Sequence, residues 1–142
     1  MKWKTVTIFF FSMMYLVMAC RTIEVRTNEN LAIATMKAIK IAEQTYKEKN
    51  KFGQYGVLAD LVNAQLLPDS LKDGRDKGYI FRIIIENNTY KAIAIPEKYT
   101  PTTQNGTGRI SLFLDQSGII RMGYKDGNEA TVEDEPLSNK YQ

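Results

Sequence analysis

The stretch YIFRIIIENNTYKAIAI, residues 79–95, decides the fold. Tyr79, Phe81, Ile83 and Ile85 alternate with Ile80, Arg82, Ile84 and Glu86, a period of two that sends one set to each face of a strand. Asn87-Asn88 comes next, and asparagine tolerates the positive φ that a tight hairpin turn demands. Residues 90–95 return as a second strand, which stops at Pro96. Beyond a polar loop at residues 97–108, which contains Pro101, RISLFLD (residues 109–115) and residues 119–124 read as a second hairpin across Gln116-Ser117-Gly118. The pattern predicts a four-stranded antiparallel sheet. Residues 125–142 carry Glu133-Asp134-Glu135 and no long apolar run, which predicts a loose polar tail.

Upstream the period changes. Leu31, Ala32, Met36, Ile39, Ala42 and Tyr46 recur at helical spacing, with Lys37, Lys40, Gln44 and Lys47 on the other side. Asn28 is placed to cap this helix, and Glu29 falls in a first turn favoured by the helix dipole. The small residues Ala32, Ala34, Ala38 and Ala42 are expected to let another layer approach closely. After the Gly53-Gln54-Tyr55-Gly56 turn, Val57, Leu58, Leu61 and Val62 predict a shorter helix that ends before Pro68. The fold class that follows is α+β, a long N-terminal amphipathic helix laid across an antiparallel sheet.

The N-terminus reads as an address. Lys2 and Lys4 precede residues 6–19, an apolar run free of charge. That run falls short of the roughly 20 residues that span a bilayer and suits a signal-peptide h-region of about 7–15 residues. It ends at Leu16-Val17-Met18-Ala19-Cys20, which resembles the bacterial lipobox; Met18 is its unusual member. The resemblance implies that Cys20 takes a thioether-linked diacylglyceryl group and becomes the mature N-terminus. Each acyl methylene buried in the bilayer contributes about 0.8 kcal/mol, so two or three chains hold a protein firmly. Cys20 is the only cysteine in the chain, which excludes an internal disulfide. The expected organisation is a lipoprotein signal peptide at residues 1–19, a tether at 20–27, one domain at 28–124 and the polar tail at 125–142. Arg21, where an aspartate would resemble an inner-membrane retention signal, leans toward the outer membrane.

Composition narrows the function. A charged fraction of 25% and a hydrophobic fraction of 44% are those of a folded globular domain. Two of the charges behind the formal +3 lie in the leader, and the rest of Lys and Arg is interspersed with Asp and Glu. No basic stripe of the kind that nucleic acid requires is present. The chain has no histidine, the commonest general base and zinc ligand. Ser111 and Ser117 lack a nucleophile-elbow context.

The order of these features resembles the globular heads of type IV pilin-like proteins, including type II secretion pseudopilins. The resemblance rests on Ala38, Ala42 and Tyr46, Gly53-Gln54-Tyr55, the Leu-rich residues 58–67, Gly78-Tyr79-Ile80-Phe81, Ala94-Ile95-Pro96, Gly108-Arg109 and residues 115–121. It covers residues 28–124, and its single motifs are turns and core positions, so their order carries it. The chain departs from pilins at the leader, where no glycine precedes the apolar run and the run holds no glutamate. The resemblance therefore implies a pilin-like head on a lipid anchor rather than a filament subunit.

The expected function is a non-catalytic interaction or envelope-assembly module, bound to membrane lipid through Cys20 and meeting envelope proteins of a secretion or pilus-like system, with no cofactor. Two alternatives stay open: a small-ligand-binding periplasmic lipoprotein, and an uncleaved membrane-spanning pilin-like subunit. In the polar loop and at its end, Tyr99, Gln104 and Arg109 are the expected contact residues. Asp126, Asn128 and Glu129 offer alternating oxygens for calcium, but they lack the full spacing of a calcium loop and read better as a turn. Asp73, Arg75 and Asp76 read as a solvated loop, and Tyr46, Tyr55 and Tyr79 as core aromatics.

Overall fold

Helix α1 spans Trp3–Lys49 in the computed structural model, which describes residues 3–102 and 105–138, with side chains from residue 24 onward. Val25, Glu29, Ala32, Met36, Ile39 and Glu43 recur every three or four residues and are all buried, so the helix lies with one continuous stripe against the rest of the chain. This differs from the expected tether. Residues 24–27 are already helical, because Val25 joins the buried stripe one turn before Glu29. Asn28 is therefore not a cap. It sits inside the helix and its Nδ2 donates to the Thr107 carbonyl at 3.2 Å.

The sheet has six strands rather than four, in the order of the chain and antiparallel throughout: β1 (Arg75–Asp76), β2 (Tyr79–Glu86), β3 (Thr89–Pro96), β4 (Ser111–Asp115), β5 (Arg121–Gly123) and β6 (Glu135–Pro136). The two additional strands are both outermost and two residues long, too short to show a period in the sequence. The central hairpin is as expected, with Tyr79 opposite Pro96 and Glu86 opposite Thr89. Asn87 and Asn88 close it at φ 48° and 59°.

Alternation along the strands builds two layers. Tyr79, Phe81 and Ile83 of β2, Tyr90, Ala92 and Ala94 of β3, and Leu112 and Leu114 of β4 join Ala32, Met36, Ile39 and Ala42 of α1 in one core. Ala92 and Ala94, both fully buried, are what let the helix settle close over the centre of the sheet. Helix α2 (Leu58–Asn63) adds Leu58, Leu61 and Val62, and a short 3-10 turn after Pro68 adds Leu71.

The other face of the sheet carries a smaller cluster of Ile93, Phe113 and Ala130, flanked by Ile95. The segment after β5 covers it, so the described part of the expected loose tail is ordered as a strap. Ser111 Oγ donates to the Asn128 carbonyl at 2.6 Å, Arg82 pairs with Glu129, and Lys125 Nζ meets Asp134 at 2.7 Å. The Leu137 N–H then donates to the Ile120 carbonyl at 2.8 Å as β6 joins the sheet. Apolar anchors spaced one at a time, Ala130 and Leu137, hold this strap, which is why no run of them shows in the sequence.

Tyr79 passes under Gly108 with no space to spare. A Cβ at position 108 would stand 2.2 Å from the Tyr79 hydroxyl oxygen, which itself donates to the Ile110 carbonyl at 3.0 Å. Gly108→Ala must displace a buried, hydrogen-bonded ring. It is expected to lower stability by roughly 1–3 kcal/mol in urea unfolding followed by tyrosine fluorescence; an unchanged midpoint would contradict this packing.

Candidate functional site

Three places in the molecule bring polar or unpartnered groups together. The first joins α1 to the long loop. Glu29 is buried, and its carboxylate accepts from Arg109 three times: from the backbone N–H at 2.9 Å, from Nε at 3.0 Å and from Nη2 at 2.8 Å. The loop is tied at its neck, where the Thr107 N–H donates to the Lys98 carbonyl at 2.7 Å and the Thr100 N–H to that of Gly108 at 3.1 Å. Burial, with the Glu29 charge second, pushes the Tyr79 phenol well above its ordinary range, so it remains a donor.

The second is a polar cleft of about 390 Å³ between the C-terminal half of α1 and the turn joining β4 to β5, lined by Lys40, Gln44, Lys47, Tyr55, Tyr90 and Ser117. Lys47 Nζ stands 4.3 Å from the centre of the Tyr55 ring and 3.3 Å from its hydroxyl, and Tyr55 packs on Tyr90 at 4.8 Å. The cleft is open, and lysines, amides and phenols line it. It is not the apolar enclosure that a small-ligand carrier would offer.

Nearby, Glu43 is fully buried on α1. Its Oε2 accepts the Gly56 N–H at 3.0 Å, and its Oε1 has no hydrogen-bond partner. Gly56 makes this approach possible, since a Cβ there would stand 3.0 Å from the Tyr46 ring. Burial, opposed by the Gly56 hydrogen bond and assisted by the Asp60 charge, pushes the Glu43 carboxyl up to about 7.

The third is the outward face of α1. Leu31, Ala34, Ala38 and Ile41 are exposed and Thr45 half-exposed, and their spacing of three and four residues places them in one line opposite the buried stripe. Ile41 is 66% exposed and Leu31 39%. None of these five side chains carries a charge, and the exposed Lys37 and Glu48 border the line on one side. The small residues of α1 therefore do not all serve the core, as the sequence led one to expect. Ala32 and Ala42 are buried, while Ala34 and Ala38 point away from the sheet and Leu31 goes with them.

The sequence-predicted residues fall as follows. Cys20 and the lipobox residues Leu16, Val17, Met18 and Ala19 lie outside the residues whose side chains are described, as Gln104 lies outside the described residues altogether. Arg109 turns inward to Glu29. Tyr99 stays at the surface, where its hydroxyl bonds the Asp126 carboxylate and is raised above its ordinary pKa by it. Asp126, Asn128 and Glu129 are not gathered into one site: Glu129 pairs with Arg82, and Asn128 Nδ2 donates to the Lys125 carbonyl at 3.0 Å. Among the described residues no group of three or more metal-ligating side chains converges, and no helix is long and apolar enough to cross a membrane. Glu29 and Glu43 were missed as buried groups. Only their place in the three-and-four spacing of the apolar residues could have marked them.

Comparison with protein-family models, with curated proteins and with solved structures gave no match.

Two carboxylates make opposite predictions. Arg109→Ala strands Glu29 in the core, and is expected to cost about 3–5 kcal/mol in thermal or urea unfolding. Retention of wild-type stability would mean that the pair is dispensable. For Glu43 the folded pKa lies above the ordinary 4.5. The folded protein therefore holds a proton that the unfolded chain releases, and stability present below about pH 4.5 is lost as pH rises through about 7. Glu43→Gln removes that dependence and is expected to stabilise the protein above pH 8 by up to roughly 3 kcal/mol. A variant with the same pH profile as the wild type would refute the assignment.

Proposed function

We propose that the chain is a lipid-anchored envelope protein whose α+β head is a non-catalytic interaction module. The observation that carries the reading is the uncharged line along the outward face of α1, with the well-exposed Ile41 on it. An exposed line of Leu, Ala and Ile at heptad spacing suits the approach of another helix more than contact with water. The leader ending at Cys20 supports the anchor. The order of elements, a long helix followed by an antiparallel meander, supports kinship with pilin-like heads. On this reading the acyl chains at Cys20 fix the N-terminal end of α1 at a membrane, with the outer membrane favoured, and the helix presents its free face to envelope proteins of a secretion or pilus-like system.

The test has two arms. A photo-crosslinking residue at position 41 is expected to form protein adducts in intact cells, whereas the same probe at the exposed Lys72 is not. Intact mass of the membrane fraction is expected to show cleavage before Cys20 with acyl addition, and Cys20→Ser to release the chain from the membrane. No adducts at position 41 would remove the module. An unprocessed N-terminus would favour a membrane-spanning subunit in its place.

A further inference from the structure

We infer that the outer edge of β2 at residues 82–86 pairs with the same edge of a second copy of this chain, antiparallel and centred on Ile84. This edge is separate from the outward face of α1, and the inference does not rest on the function proposed for that face.

The backbone shows where the edge is open. β1 pairs with β2 only at Tyr79 and Ile80, and the Phe81 N–H ends that contact by donating to the Gly74 carbonyl at 2.6 Å. Phe81 thus aims its backbone groups to the outer side, and along an antiparallel strand the residues that do so alternate. Ile83 and Ile85 turn theirs the same way, where among the described residues no strand pairs with them. Arg82, Ile84 and Glu86 turn theirs to Ile93, Lys91 and Thr89 of β3. The Asn87-Asn88 turn stops the strand at the far end, so the open template is bounded on both sides.

This window complements itself. With Ile84 opposite Ile84 of the second copy, Ile83 of each chain faces Ile85 of the other, and each such pair exchanges both of its backbone bonds. The exposed Arg82 of each chain then faces the exposed Glu86 of the other, in the pairs where side chains stand closest. Arg82 already meets Glu129, and Lys91 Nζ meets Glu86 at 2.9 Å. The seam joins them into a run of alternating sign, Glu129, Arg82, Glu86, Lys91. Ile84, 38% exposed, is covered by its counterpart, and the half-buried Ile85 by Ile83 on the core face. Centring the pair on Ile83 would drive Glu86 of the second copy against Ile80, which β1 occupies. Centring it on Ile85 would leave Arg82 facing Asn88, outside the strand. Length and charge select one register, and a second copy is the occupant because it brings both with it.

The experiment uses the full-length chain in intact cells. Ile84→Cys, Glu86→Cys and Lys72→Cys are introduced singly, beside the wild type, whose sole cysteine is Cys20. After mild oxidation Ile84→Cys is expected to run as a disulfide-linked dimer, roughly ten-fold or more above the other three, because residue 84 alone meets itself. In that background Arg82→Glu sets like charges across the seam and is expected to return the yield to the control level. Adding Glu86→Arg exchanges the two charges and is expected to restore the dimer, which a misfolded chain would not do. Ile84→Cys at the control level overturns the inference. Equal linking at Glu86→Cys or Lys72→Cys overturns it as parallel pairing or random collision, and a mixed disulfide to a different protein in place of the dimer overturns it as a foreign strand. A yield indifferent to Arg82→Glu, or not restored by the exchanged pair, overturns it too.

Discussion

A carboxylate buried between a helix and a sheet has few ways to exist, and Glu29 takes the one that fixes the molecule. Its oxygens are satisfied by the side chain and backbone of a single residue, Arg109, at the end of the long loop. An unpaired charge at that depth is costly, so the helix cannot rotate or slide without breaking all three bonds at once. Asn28, one residue earlier, adds a bond to the same loop at Thr107. Hydrophobic burial alone is non-directional, and the layers would tolerate a range of helix phases. The Glu29–Arg109 pair selects one.

That phase has effects far from the pair. It turns Ala32 and Ala42 toward the sheet, where fully buried Ala92 and Ala94 leave room for them, and sends Ala34 and Ala38 outward. It also carries Glu43, two heptads after Glu29, into the core. There no arginine meets it, and a backbone N–H from Gly56 is its one hydrogen bond. The same rotation thus produces a satisfied acid, an under-satisfied one and an uncharged line along the outer face.

Much of the architecture could be read before any coordinates. The period of two in residues 79–95 and the Asn87-Asn88 turn gave the central hairpin, because a half-buried strand writes its faces into alternate residues. The long helix was legible for the same reason at a different period. What escaped notice has a common physical cause. Strands of two residues, and a strap held by isolated contacts such as Ala130 and Leu137, have no periodicity to detect. The small residues of α1 were assigned to one face because alanine fits a core and a surface equally well, and only the phase set by Glu29 separates them. Arg109 follows a polar loop and by sequence reads as a contact residue. Its partner lies 80 positions away, a distance across which sequence spacing says nothing.

The sheet's margins bear on how such a protein can associate. Its outermost strands, Arg75–Asp76 and Glu135–Pro136, offer only two residues each, and proline has no N–H to lend to a neighbouring strand. Strand addition, by which many sheet proteins recruit extended peptides or drift into fibrils, has little template in these two strands; the longer one is the outer edge of β2 at residues 82–86, which the short β1 does not cover. Lateral zipping of two such meanders would have to begin at that stretch of β2, beside the short β1.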